Sequence, residues 1–224
     1  MTSCVLATGL PAAGARVSTM EEEHLSQYQA GAELGELTSG RPAVFLDRDG
    51  VIIENRDDYV KAWDEVRFLP GSLAALRRLA ASRHAVVIVT NQSAVGRGLV
   101  SLEEVAEINR RMIVEIEAQG GRVDACYLCP HHPDDACSCR KPAPGMLVQA
   151  RDELGLSLNC SYLVGDAATD IQAARAAGVR ELLVLTGRGA AEAGHLGTEG
   201  AVACPVLADL PAAVDHILGA EGAT

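Results

Sequence analysis

Two aspartates at alternate positions, Asp47 and Asp49, stand where the apolar run Val44-Phe45-Leu46 gives way to Asp47-Arg48-Asp49-Gly50. One carboxylate at such a place can attack phosphorus and form an aspartyl-phosphate. The other can protonate the leaving oxygen and later deprotonate a water, which divides hydrolysis into two easier steps. Taken alone, the same four residues also read as a polar turn. Thr90-Asn91 ends a second apolar run and offers a hydroxyl, amide donors and loop N–H groups to a phosphate oxygen, or else a plain strand-to-loop cap. In Cys139-Arg140-Lys141-Pro142 the lysine can neutralise phosphoryl charge and the arginine can present a bidentate fork, although surface Arg-Lys pairs are commonly just solvated. Gly165-Asp166 closes a further apolar run with a hard carboxylate of the kind Mg²⁺ takes. Asp170, one helical turn later, is either a first-turn residue favoured by the helix dipole or a partner behind the metal.

A denser cluster precedes Arg140. The stretch from Cys129 to Cys139, CPHHPDDACSC, supplies three thiolates and an imidazole within reach of one tetrahedral ion. Four protein ligands leave no open position, so zinc there is structural and holds a loop too short for a core of its own. Cys126 makes a Cys-x-x-Cys with Cys129, but it lies within an apolar strand and is read as packing inward. Seven cysteines are an odd number and too few for a disulfide scaffold in a chain of 224 residues.

From Pro42 onward, short apolar runs alternate with longer helical patterns, as in a parallel sheet with crossover helices. Strands are predicted at 43–46, 85–89, 125–128, 162–164 and 182–185. A first helix covers 72–81, with Leu73, Leu76 and Leu79 on one face. A second starts at Ser101, with Glu104 completing a capping box and Val105, Ile108, Met112 and Ile116 in one stripe. A third follows Pro144, placed in its first turn, and a fourth covers 169–177 and stops at Gly178. The polar clusters fall at the ends of these units. In open parallel sheets the ligand crevice lies at the carboxyl ends of the strands, so separate segments converge on one site.

The length suits one α/β domain, taken as 41–224, behind an arm at 1–40. That arm is rich in Ala, Gly, Ser and Glu, is predicted to be disordered apart from a short helix near 21–28, and contains Met20 as an alternative start. Hydrophobic residues make up 48% of the chain, but no run approaches the roughly 18 needed to cross a bilayer. A formal charge of −11 disfavours nucleic acid, while a local cationic pocket still admits a small anion. The first twenty residues lack the pattern of a secretory signal, so a cytoplasmic monomer is expected, without membrane or nucleic-acid partners.

The ordered set of an apolar run with DxDG, then an apolar run with Thr-Asn, then Lys, then GDxxxD resembles the haloacid dehalogenase phosphohydrolases over about 43–186. That resemblance implies Asp47 as nucleophile and Asp49 as acid/base. It implies Mg²⁺ on the Asp47 carboxylate, the Asp49 backbone carbonyl and Asp166, with Thr90, Asn91 and Lys141 on the phosphoryl group. Asp rather than Thr at the second position favours ester hydrolysis over the ATPase branch.

The stretch CPHHPDDACSCRKPAPGM is similar to the family's zinc-containing subgroup, which includes heptose-bisphosphate and histidinol-phosphate phosphatases. This likeness chooses His131 over His132 as the fourth zinc ligand beside Cys129, Cys137 and Cys139. It implies a Rossmann-like parallel sheet with helices on both faces, no large cap domain and a zinc-stabilised loop. The His-His pair, the PGM after CRKP and the Asp58-Tyr59-Val60 segment resemble the heptose branch more than the histidinol one. The expected substrate is therefore a small phosphorylated sugar, with Asn55, Arg56, Tyr59, Gln92, Ser93 and Arg140 as further contacts. One departure is Ala167, where some heptose phosphatases carry a substrate-binding Lys.

Overall fold

The computed structural model describes residues 40–196 and 204–221, together with a two-residue strand, Arg16–Val17. Apart from that strand, the arm and the helix expected within 1–40 lie outside the described residues.

The strands are β1 (Arg16–Val17), β2 (Ala43–Leu46), β3 (Ala85–Asn91), β4 (Ala125–Cys129), β5 (Tyr162–Gly165), β6 (Arg180–Val184) and β7 (Val206–Leu207). They form one sheet in the order β1-β4-β3-β2-β5-β6-β7, and every pairing is parallel. The chain steps outward from β2 through β3 to β4, then returns to β5 on the other side of β2. The order therefore reverses at the β2/β5 junction, where a crevice opens beyond the strand ends.

β2 shows why the sheet is covered twice. All four of its residues are buried, and their side chains alternate between faces as the pleat requires. Val44 and Leu46 join a core with Val86, Ile88 and Val164 and with residues of α1 (Ser72–Ala80), α3 (Leu102–Ala118) and α7 (Leu210–Glu221). Ala43 and Phe45 join the opposite core with Val87, Val89, Leu163 and residues of α4 (Gly145–Leu154) and α5 (Ala168–Ala177). A third, smaller cluster joins Ala94 of α2 (Ser93–Gly96) to Val100, Val105 and Leu128, and Tyr59 packs on it. The described segments between β2 and α1, β3 and α3, and β4 and α4 are loops and short turns rather than a cap domain.

Local signals account for several boundaries. Ser101 Oγ accepts from the Glu104 N–H at 3.1 Å, and the Glu104 carboxylate accepts from the Ser101 N–H at 2.8 Å, which completes the capping box of α3. Gly178 ends α5 in the left-handed region at φ 68°, where a Cβ is unfavourable. Pro144 stands at the N-cap of α4, so the helix starts one residue later than expected. Gly145, its first residue, has no room for a side chain: a Cβ there would lie 2.2 Å from the Ser138 carbonyl oxygen. Only glycine lets the cysteine loop come so close to the helix start. β3 runs through Thr90 and Asn91, which pair with Leu128 and Cys129, so it is two residues longer than predicted. α2, α6 (Gly189–Leu196), β7 and α7 are additional elements.

Ser101→Ala is expected to lower unfolding free energy by about 1 kcal/mol, read as a lower denaturant midpoint at unchanged slope. Turnover should be unaffected, because Ser101 does not line the cleft described below; loss of activity in the folded variant would contradict this separation.

Candidate active site

The β2/β5 junction holds a cleft of about 310 Å³. Asp47 leaves β2 with its N–H bonded to the Val164 carbonyl of β5 at 3.0 Å, and Asp166 follows β5 directly. Asp170 comes one turn along, in the first turn of α5. Asp47, Asp166 and Asp170 each offer an oxygen, and these lie within 4.8 Å of one another.

The cation among them is Lys141, only 2% exposed. Its Nζ reaches Asp47 Oδ1 at 3.0 Å, Asp170 Oδ1 at 2.6 Å and the Val89 carbonyl at 2.8 Å. Asn91 grips the lysine's backbone from both sides: its Oδ1 accepts from the Lys141 N–H at 3.1 Å, and its Nδ2 donates to the Lys141 carbonyl at 3.0 Å. Burial alone would lower the lysine's pKa, but Asp170 and Asp47 outweigh it and hold the ammonium charged.

One lysine does not balance this many carboxylates. Burial pushes Asp47 up to about 7, opposed by Lys141 and reinforced by Asp170, Asp166 and Asp49. Burial likewise pushes Asp166 up to about 6, against a bond from the Arg188 N–H, with Asp170 adding to the rise. Asp170 is already engaged, with Oδ1 on Lys141 and Oδ2 accepting from the Ala167 N–H at 3.1 Å. Asp47 and Asp166 therefore remain as hard oxygen donors short of positive charge, a donor set that fits Mg²⁺. Asp166 is confined by backbone. A Cβ on either Gly50 (φ 86°) or Gly187 (φ 58°) would lie 2.1 Å from its Oδ2.

Asp49 is turned away from that cluster. Its carboxylate accepts from Arg48 Nε at 3.0 Å, Arg48 Nη2 at 3.1 Å and Gln92 Nε2 at 2.9 Å. Gln92 lines the cleft, but its amide is committed to Asp49, Thr90 and Arg48. Thr90 is buried and stands outside the cleft lining, its hydroxyl accepting from Gln92 Nε2 at 2.8 Å. Asn91 and Ser93 do line it.

The loop after β2 brings Asn55, Arg56 and Tyr59 to the rim. The Arg56 guanidinium is drawn to Asp58 at 3.0 Å and Glu65 at 3.8 Å. Tyr59 adopts φ 66°, uncommon for a side-chain-bearing residue, with its N–H bonded to the Arg56 carbonyl at 3.2 Å. Arg140 lines the cleft as well, and its Nη1 is buried without a hydrogen-bond partner among the described residues.

Beside the cleft, Cys129, His131, Cys137 and Cys139 form a second group able to hold a metal. Cys129 Sγ and Cys139 Sγ lie 3.4 and 3.3 Å from His131 Nδ1, and each is 3.6 Å from Cys137 Sγ.

Four polar cleft residues are not predicted as site residues from the sequence, Arg48, Arg97, Thr169 and Arg188, and neither are the apolar Val60 and Pro133. The signal for Arg188 was present, since it follows β6 and the loops after parallel strands converge on the crevice. Ala167 and Arg188 both line the cleft, so it holds a cation from the loop after β6 although position 167 has none.

The HAD-hydrolase-like family model matches residues 138–210. The chain is 40% identical over 178 residues to the D-glycero-beta-D-manno-heptose-1,7-bisphosphate 7-phosphatase of Pseudomonas aeruginosa, covering 80% of this chain and 98% of that protein. It is 39% identical to the Yersinia pestis protein of the same name, over 80% of this chain and 97% of the other. Among solved structures, the D,D-heptose 1,7-bisphosphate phosphatase of B. bronchiseptica, complexed with magnesium and phosphate, superposes with a TM-score of 0.75 at 39% identity. That match covers 80% of this chain and 99% of the other.

The two raised carboxyls have a consequence for pH. In the metal-free protein Asp47 binds its proton more tightly folded than unfolded, moving from 3.8 to about 7. Its contribution to stability is thus present below about pH 4 and lost as pH rises through about 7. A divalent cation competes with that proton. Magnesium should therefore bind more tightly, and raise Tm further, at about pH 8 than at about pH 5.5. Calorimetry showing equal magnesium-induced shifts at both pH values would contradict the assignment.

Proposed function

Because this chain belongs to the haloacid dehalogenase family of phosphohydrolases, we infer that it is a magnesium-dependent phosphomonoesterase that removes the 7-phosphate of D-glycero-D-manno-heptose 1,7-bisphosphate through an aspartyl-phosphate. The observation that carries this reading is the match to phosphatases of that activity along nearly their whole length, 98% of the Pseudomonas aeruginosa protein.

Asp47 is the nucleophile. Its contacts with Lys141 and with the Arg48 N–H both fall on Oδ1, so Oδ2 is the oxygen offered to phosphorus. Asp49 protonates the leaving sugar oxygen, then takes a proton from the water that cleaves the aspartyl-phosphate and releases inorganic phosphate. Lys141 offsets charge on the phosphoryl oxygens. Asn91 acts by holding Lys141 in place, and Thr90 acts through Gln92 rather than on the phosphate. Asp47, Asp166 and the Asp49 carbonyl would hold Mg²⁺, which supplies positive charge where the phosphoryl oxygens gather.

The 1-phosphate calls for a second cationic partner. Arg140 is the choice, because its buried Nη1 has no hydrogen-bond partner among the described residues. Arg56 already faces Asp58 and Glu65 and is the weaker candidate. Asn55, Tyr59 and Ser93 bound the sugar.

Cys129, His131, Cys137 and Cys139 hold a structural zinc in this reading. Zinc–sulfur bonds of about 2.3 Å in a tetrahedron set sulfur–sulfur edges of about 3.8 Å, close to the 3.6 Å separations at Cys137. Cys139 is disulfide-bonded in this structure. A cystine sulfur is no thiolate ligand, so the zinc form requires that bond to be reduced. Such thiolates suit a reducing cytoplasm, with 41–224 as the phosphatase domain.

Asp47→Asn is expected to fold normally and lose turnover by roughly three orders of magnitude or more. Heptose 1,7-bisphosphate should exceed histidinol phosphate in kcat/KM by roughly tenfold to a hundredfold, the equivalent of one charge-assisted contact of about 1.5–3 kcal/mol. A preference for histidinol phosphate would favour the amino-alcohol branch instead. Elemental analysis of reduced protein should give one zinc per chain, lost in Cys137→Ser; wild type without zinc would end the structural-zinc reading.

A further inference from the structure

The side chain of Arg48 is only 1% exposed although the residue sits in the middle of the catalytic loop. It lies between two aspartates but its guanidinium serves only one, gripping Asp49 through Nε and Nη2 at 3.0 and 3.1 Å. The other contacts build a frame behind that grip. Nη2 also donates to Gln92 Oε1 at 3.0 Å, and Nη1 donates to Asn109 Oδ1 at 2.9 Å. Gln92 closes the ring by donating to Asp49 Oδ2 at 2.9 Å. Asn109 is a buried polar residue in the otherwise apolar stripe of α3, where such a group is costly without a partner.

The frame approaches Asp49 from the core, while the Asp49 side chain keeps 21% exposure toward the cleft. A carboxylate that moves protons must hold an oxygen within hydrogen-bond reach of the leaving group, and a displacement of about 1 Å can cost about a hundredfold in rate. A planar, forked cation anchored at its far end fixes direction as well as charge.

We propose that Arg48 is a positioning residue that aims the Asp49 carboxylate for proton transfer, with Asn109 of α3 and Gln92 as its anchors. This rests on the reading of Asp49 as the acid/base. Arg48→Lys retains charge without the fork, and Asn109→Leu removes the anchor while Arg48 remains.

Two rates separate aim from general damage. Heptose 1,7-bisphosphate has an alkoxide leaving group that needs a proton; p-nitrophenyl phosphate has one that does not. With enzyme in excess, single-turnover release of p-nitrophenolate should stay within about threefold of wild type in both variants. Steady-state kcat on the bisphosphate should fall on the order of a hundredfold in Arg48→Lys and roughly tenfold in Asn109→Leu, with KM within about threefold. If Arg48→Lys does not fold, Asn109→Leu reads the same two rates. Equal losses on both substrates, or no loss on the bisphosphate, in a folded variant overturn the proposal. Asp49→Asn is the control. If it too lacks leaving-group selectivity, the acid/base reading fails; if it is selective and Arg48→Lys is not, only the positioning role fails.

Discussion

Lys141 places an ammonium between Asp47 at 3.0 Å and Asp170 at 2.6 Å in a setting almost closed to water. Removing one partner from a buried ion pair typically costs about 3–5 kcal/mol, because the other charge is left uncompensated. Much of the surrounding architecture serves to deliver this one side chain. Asn91 extends β3 so that its amide can grip the lysine backbone. Gly145 admits the Ser138 carbonyl, which draws the loop bearing Arg140 and Lys141 against α4. The cysteine and histidine cluster ends two residues before Lys141, so whatever ties those four residues together also sets where the ammonium stands.

The reversal of strand order divides the active end between two halves of the sheet. Asp47, Asp49, Asn91 and Lys141 come from segments on the β2, β3 and β4 side, while Asp166, Asp170 and Arg188 come from the β5 and β6 side. Lys141 and Asp170 bridge the halves through charge, and the Asp47 N–H to Val164 bond bridges them through backbone. Each half has helices on both faces, and β2 pairs directly with β5, so the bridge spans one continuous sheet rather than two loops.

The parts of this design that depend on local chain chemistry were legible in the sequence. β2 was placed to the residue because four consecutive apolar side chains end at a charged turn, and α3 because Ser101 and Glu104 form a reciprocal cap. α7 was not predicted, although Leu210, Ala213, Val214 and Ile217 stand at helical spacing, because it lies beyond every catalytic motif. What could not be read is the direction of polar side chains. Thr90, Asn91 and Gln92 look like three donors awaiting a phosphate, yet the Asn91 amide donates to Lys141, and the Gln92 amide donates to Asp49 and to the Thr90 hydroxyl. Arg48 reads as a solvated turn residue until Asn109, sixty-one positions away, is seen to anchor it. Asn109 itself looks like a flaw in an apolar stripe.

Gly50 and Gly187 bear no functional group, yet each lies where a Cβ would overlap the Asp166 carboxylate. Both also occupy positive φ, which adds backbone strain to the steric conflict for any L side chain. In a map of mutational tolerance, two chemically silent positions should therefore be as intolerant as the aspartates they enclose. Essentiality in such a map marks where space has run out as well as where bonds are made, and only the structure tells the two apart.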